Sequence, residues 1–138
     1  MNDKLLTSSI LPVINKKTLW LEENEPVSVA VRILSLGQDF IPVCRDKKII
    51  GQITLSDLNK LTVLPQPKTV LDLYSPTISI TQDAEIWQLL KIINGENSKD
   101  KLVNFIPVVR DKESKEYVGI IYRSELRDWL NNQEGSNE

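Results

Sequence analysis

The sequence predicts an α+β fold: two strand-helix-strand-strand-helix repeats related by a pseudo-twofold axis, each a small mixed sheet packed with helices. Three observations predict it. The segment FIPVCRDKKIIGQITLSDLNKL, from Phe40 to Leu61, returns as FIPVVRDKESKEYVGIIYRSELRDWL from Phe105 to Leu130, and a match of that length within one chain marks an internal repeat. An apolar stripe at helical spacing, Val27, Ala30, Val31 and Leu34, recurs 59 residues later as Ile86, Leu89, Leu90 and Ile93. The offset then widens to 65 at the phenylalanines and 68 at Gly51 and Gly119, so the insertions fall in loops.

Each element follows from local chemistry. Ile10, Leu11, Val13 and Ile14, grouped around Pro12, form a segment expected to lie against the core. Thr18 to Glu22 alternates like a half-buried strand, with Leu19 and Leu21 on one face and Trp20 on the other. Asn24, Glu25 and Pro26 supply helix-start chemistry, and Gly37 the stop. Phe40 to Cys44 is a strand, Asp46 to Lys48 a turn, and Ile49 to Thr54 the hairpin partner, with Ser56 placed to cap a short helix through Leu61. Residues 10–61 thus make the first repeat, and 62–68, with Pro65 and Pro67, a stiff linker. The second repeat, 69–130, restarts with a strand over Thr77 to Thr81 and a helix capped by Asp83. A polar loop spans Asn94 to Asn104, and residues 131–138 read as a disordered tail. Neither half, at about 60 residues, buries enough surface alone, so the two are expected to pack together.

Composition narrows the function. Hydrophobic residues at 41% and charged residues at 26% indicate a globular chain, and a net charge of -2 offers no basic footprint for nucleic acid. No apolar run approaches the roughly 20 residues that span a bilayer, which points to a soluble, cytoplasmic module without membrane insertion. With no histidine and one cysteine, the chain has no Ser-His or Cys-His pair, no disulfide and no four-ligand zinc site. Neither catalysis nor a required cofactor or metal is expected. Cys44 falls in register with Val109 and reads as a buried small apolar residue.

These residues resemble a tandem pair of cystathionine-beta-synthase (CBS) domains, a Bateman module, over Ile10 to Leu130. The resemblance rests on the apolar-Pro-Val strand, Phe40-Ile41-Pro42-Val43, and on Gly51-Gln52-Ile53-Thr54-Leu55-Ser56-Asp57, which fits Gly-apolar-apolar-Thr-x-x-Asp. Val70-Leu71-Asp72-Leu73 is similar to the family's lead-in to a second repeat. The resemblance implies a regulatory module that binds an adenosine-containing ligand, AMP, ADP, ATP or S-adenosylmethionine, in a cleft between repeats. It also implies a homodimer that modulates an enzyme or transporter. Carried over by residue, Thr54 would contact phosphate and Asp57 the ribose, with Ile41, Pro42, Val43, Thr18 and Leu19 holding the base. Chemistry agrees: a carboxylate accepts from two vicinal hydroxyls, and an apolar wall suits a purine.

The second copy departs from the pattern. Tyr122 stands where Thr54 does and Glu125 where Asp57 does, beside Ile106, Pro107 and Val108. A tyrosine at the phosphate position fills space, so the Thr54/Asp57 cleft is the expected site. Two alternatives stand beside these readings. Thr54 and Asp57 also suit a plain strand end and helix cap, and the same fold serves as a ligand-free dimerisation or interaction module. Trp20 and Trp87 lie off the faces their elements bury and suggest a contact surface, whereas Trp129 reads as a packing anchor.

Overall fold

The computed structural model describes residues 3–60, 69–94 and 103–136. After a short helix α1 (Asp3–Leu6) and a 3-10 turn (Leu11–Val13), the first half comprises β1 (Leu21–Glu22), α2 (Val27–Ser35), β2 (Phe40–Arg45), β3 (Lys48–Thr54) and a 3-10 helix (Leu55–Asn59). A 3-10 turn (Val70–Asp72) opens the second half, followed by β4 (Ile80–Thr81), α3 (Ile86–Ile93), β5 (Phe105–Val109), β6 (Tyr117–Tyr122) and α4 (Arg123–Ser136). Each half holds one three-stranded mixed sheet, ordered β1-β2-β3 and β4-β5-β6. The Phe-Ile-Pro-Val strand is central in both. Val43 sits opposite Gly51 and Val108 opposite Gly119, and a bulge follows each valine, so the registers match.

The first strand of each half is shorter than the alternation predicts, and proline gives the reason. β1 pairs parallel with β2 at Leu21↔Val43 and Glu22↔Cys44, which puts Trp20 beside Pro42. Pro42 has no N–H to continue the ladder, and Pro107 ends the β4 ladder before Ile80 in the same way. Thr18 and Leu19 therefore leave the sheet, and Leu19 is 54% exposed rather than buried with Leu21. Its backbone is satisfied by Gln38 instead: Leu19 N–H donates to Gln38 Oε1 at 3.1 Å, and Gln38 Nε2 donates to Leu19 O at 2.8 Å.

Other expectations need correction. The buried stripe of α2 is Ala30, Ile33 and Leu34, while Val31 is 38% exposed. In α3 the stripe is as predicted, with Ile86, Leu89 and Ile93 buried and Leu90 packed against them. The helix N-caps are Pro26 and Glu85, not Asn24 and Asp83. Asp83 instead accepts a hydrogen bond from Thr81 Oγ1. Thr54, not Ser56, caps the 3-10 helix. α4 runs through Ser136, so residues 131–136 are helical where a disordered tail was expected. Gly37 ends α2 with φ +106°, a conformation only glycine adopts freely. The linker 62–68 and most of the loop 94–104 lie outside the described residues.

The halves exchange their lead-in segments. Ile10 and Val13 belong to the core of the second half, with Ile86, Leu89, Ile106, Val108 and Leu126. Val70 and Leu73 belong to that of the first, with Leu21, Ala30, Ile41, Val43 and Ile53. Backbone bonds repeat the exchange: Asn15 and Ile120 bond reciprocally at 2.7 and 2.9 Å, and Ser75 and Gln52 at 2.8 Å each way. The crossing segments explain the glycines shared by both copies. A Cβ on Gly51 would collide with the Tyr74 ring and lie 2.5 Å from Ser75 O, and one on Gly119 2.7 Å from Asn15 O.

A seam joins the two sheets. At one end Phe40 stacks on Phe105, centroids 4.8 Å apart. At the other, the hairpin tips bond to each other, Ile49 N–H to Lys115 O at 2.9 Å and Tyr117 N–H to Lys47 O at 2.8 Å. Cys44, Ile49 and Val109 fill the space between, with Tyr117 against them. Cys44 is wholly buried, and burial first, then the charge of Glu22, pushes its thiol pKa up to about 12. Among the described residues no helix is long and apolar enough to cross a membrane.

Candidate functional site

Thr54 ends β3 and turns the chain into the 3-10 helix, which brings Asp57 back beneath it. Thr54 N–H donates to Asp57 Oδ2 at 2.9 Å, and its hydroxyl lies 2.9 Å from Ser56 Oγ and 3.3 Å from Asp57 Oδ2. Asp57 is only 5% exposed, the one buried charged residue among those described. Its other oxygen accepts from Ser75 Oγ at 2.5 Å and lies 3.2 Å from Lys60 Nζ. Lys60 also donates to Leu73 O at 2.8 Å and to Ser75 Oγ at 3.1 Å, tying the exchanged lead-in to the first half. The structure thus shows the capping alternative: Asp57 is a cap whose other oxygen is held by a hydroxyl and an ammonium, and it is not among the residues lining the neighbouring cavity.

Beside Thr54 opens a cavity of about 340 Å³, lined by Phe40, Gln52, Pro76, Thr77, Ile78, Val103, Asn104 and Phe105 as well as Thr54. Most of its wall is apolar, and hydroxyl and amide groups stand at the edge, as orientation of a flat heterocycle requires. Ile41, Pro42 and Val43 are fully buried behind it and contribute no lining side chain. Nor do Thr18 and Leu19 reach it. Because the lead-ins are exchanged, the entry residues of this cleft are Thr77 and Ile78, the second half's counterparts of that pair. The repeat offset of 59 predicts the correspondence, but only the fold shows which cleft each pair serves.

The second cleft has the same parts with a larger side chain at the strand end. Tyr122 ends β6, and its hydroxyl lies 2.8 Å from Thr18 Oγ1. Phe105 meets its ring edge-on at 5.6 Å, so the ring is fixed on both sides. Burial raises the Tyr122 pKa, and the Thr18 hydrogen bond opposes the shift. Glu125 is exposed and accepts from Asn15 Nδ2 at 3.1 and 3.3 Å, as Asp57 accepts from Ser75. Ile106, Pro107 and Val108 are buried like their counterparts. Asp128 takes the place of Lys60. Two hollows remain on this side, one of about 570 Å³ beside Arg123 and Arg127 and one of about 620 Å³ beside Lys17, Glu125 and Trp129. Among the described residues no cluster of acids and cysteine is placed to hold a metal ion.

The family model of the CBS domain matches the chain twice, over residues 8–63 and 70–132. No curated protein matches the sequence significantly. Solved structures do share the fold. One is an uncharacterized conserved protein from Pyrococcus horikoshii, TM-score 0.73 at 18% identity; the match covers 94% of this chain and 56% of that one, so the chain spans little more than half its length. Another is the CBS domain pair of protein MJ0100 in complex with 5′-methylthioadenosine and S-adenosyl-L-methionine, TM-score 0.69 at 17% identity, covering 92% of this chain and 98% of that one. A third is the CBS domain of a bacterial CNNM/CorC family Mg2+ transporter in complex with ATP, TM-score 0.70 at 16% identity, covering 93% and 90%. With one domain match on each half and the repeated sheet-and-helix architecture, the chain belongs to the CBS domain family and carries two CBS domains in tandem.

Proposed function

We propose that this chain is a regulatory module, not a catalyst, that takes an adenosine-containing ligand in the Thr54 cleft. The observation that carries the reading is the mostly apolar cavity of about 340 Å³ at Thr54, in contrast to the polar, charged hollow at Tyr122. Adenosine compounds in two similar CBS structures, S-adenosyl-L-methionine with 5′-methylthioadenosine in one and ATP in the other, support the ligand class. In this reading the purine lies between Ile78 and the Phe40–Phe105 stack, and the ribose hydroxyls exchange with Ser75 Oγ for Asp57. The two repeats, 10–61 and 69–130 with the linker 62–68 between them, act as one unit in the cytoplasm. Ligand binding is passed to an attached or partner enzyme or transporter. A homodimer through the helical faces fits the exposure of Val31 at 38%, Leu36 at 77% and Trp87 at 44%; light scattering is expected to give twice the chain mass. A thermal-shift series with adenosine, AMP, ADP, ATP and S-adenosylmethionine tests the ligand. A compound that binds only the native state at a hundredfold excess over Kd stabilises it by about 2.7 kcal/mol. No rise in melting temperature with any of them would leave a ligand-free interaction module.

A further inference from the structure

We propose that a hollow within the second half, away from both clefts, is a site for a small carboxylic acid with an apolar body; it does not depend on the adenosine reading above. The hollow has a volume of about 470 Å³, within the roughly 300–1,000 Å³ of small-molecule sites. It lies where β4 and β5 end against α3, and it shares no lining residue with the cavity at Thr54 or the hollow at Tyr122. Ile80, Ala84, Ile92 and Val109 give it an apolar floor, and the exposed Lys112 and Lys115 of the β5–β6 turn line it as well. Among the described residues no acid lines it.

The first half fills the matching place with its own side chains. Counting 59 residues back, Trp20, Glu22 and Glu25 stand where Ser79, Thr81 and Ala84 stand. Glu22 lays its carboxylate on the turn of its own hairpin, accepting from the Asp46 and Lys47 N–H groups at 3.1 and 3.0 Å. Glu25 accepts from the Glu22 N–H at 2.9 Å, and Trp20 lies against Tyr117, centroids 5.9 Å apart. In the second half all three side chains are short, and the Thr81 hydroxyl donates to Asp83 Oδ1 at 2.6 Å. The Asp111 and Lys112 N–H groups, which match those of Asp46 and Lys47, have no acceptor among the described residues. The Lys112 and Lys115 ammonium groups have no hydrogen-bond or ion-pair partner among them either. Acids nearby are engaged: Asp111 accepts from the Ser114 N–H at 2.7 Å, and Glu116 pairs with Arg110 at 3.5 Å. The second half has thus lost an internal carboxylate and an apolar ring and kept the cations. A ligand carrying both replaces them, and lysine, a flexible point charge, can follow its carboxylate.

Amide NMR titration of the full chain with hexanoate, hexanamide, acetate and inorganic phosphate tests the proposal. Hexanoate is expected to shift the signals of Thr81, Gln88, Lys112 and Lys115 saturably. Acetate, which lacks the body, and hexanamide, which lacks the charge, are each expected to bind about tenfold or more weakly. Thr81→Glu, which restores the acid of the first half, is expected to abolish the hexanoate shifts in a spectrum that remains that of a folded protein. Lys115→Gln, on the exposed turn, decides independently of how that variant folds: a loss of about tenfold is expected, and unchanged affinity overturns the proposal. Phosphate as tight as hexanoate would make the turn a bare anion site, and hexanamide as tight would make the hollow merely apolar. Either result overturns the proposal, as does undiminished binding in a folded Thr81→Glu or the absence of saturable shifts at these residues.

Discussion

The two clefts are made from equivalent residues, yet one is lined mostly by apolar groups around Thr54 and the other by Tyr122, Asp39 and two arginines. In the first, Thr54 lines the cavity while Asp57, buried and clamped by Ser75 and Lys60, does not. In the second, Tyr122 reaches Thr18, and the carboxylate moves out to an exposed Glu125 held only by Asn15. The repeat thus preserves the frame while single side chains change the lining of each cleft. The difference also divides labour: the buried acid of the first half stabilises the exchanged lead-in, and the second half is freed to carry surface charge.

Breaking the frame is expected to have the largest effect, and in both halves. Gly51→Ala drives a methyl into Tyr74 and the Ser75 carbonyl, and Gly119→Ala into Asn15 O and Ile14. Urea unfolding is expected to show a loss of about 3 kcal/mol at Gly51 and about 2 kcal/mol at Gly119, the scale of overpacking. Losses below half of these would show that the lead-ins yield easily. Next in size is the acid pair. Asp57→Ala removes the cap and leaves Lys60 without its counter-ion, for an expected loss of about 2 kcal/mol and at least tenfold in adenosine affinity. Glu125→Ala, at the surface, is expected to change stability by less than about 0.5 kcal/mol and binding little. Equal effects at the two positions would erase the asymmetry.

The smallest expected difference is between Cys44 and its counterpart Val109. The folded state holds the Cys44 proton up to about pH 12, while an unfolded chain releases it in the ordinary thiol range. The thiol's contribution is therefore fully present below that range and is lost as pH rises from it toward 12. Cys44→Val, which copies the second half, is expected to remove this alkaline loss in melts across pH 8 to 11. At pH 8 the native thiol is expected to be inert to Ellman's reagent.

The repeat, the central strands and the glycines were legible because they recur in register, and recurrence needs no knowledge of tertiary contacts. That Tyr122 replaces Thr54 was legible for the same reason, but not that a hollow of about 570 Å³ remains beside it. Strand lengths were misjudged at Thr18 and Leu19, because the ladder depends on what Pro42, twenty-odd residues away, can donate. The exchange of lead-ins was not legible, since Ile10 and Val13 are apolar whichever core receives them. That exchange moved Thr18 and Leu19 to the other cleft and brought in Thr77 and Ile78. Lys60 and Ser75 were missed because their partners are a carboxylate and carbonyls that only folding brings near.

Residue 54, matched against residue 122, is expected to set which cleft accepts an adenosine. Adenosine stoichiometry measured by calorimetry on the native protein and on Thr54→Tyr, with thermal melts to establish that the variant folds, tests it most directly. One adenosine per chain is expected for the native protein and none for the folded variant. Two sites in the native protein, or one site retained in Thr54→Tyr, would contradict it.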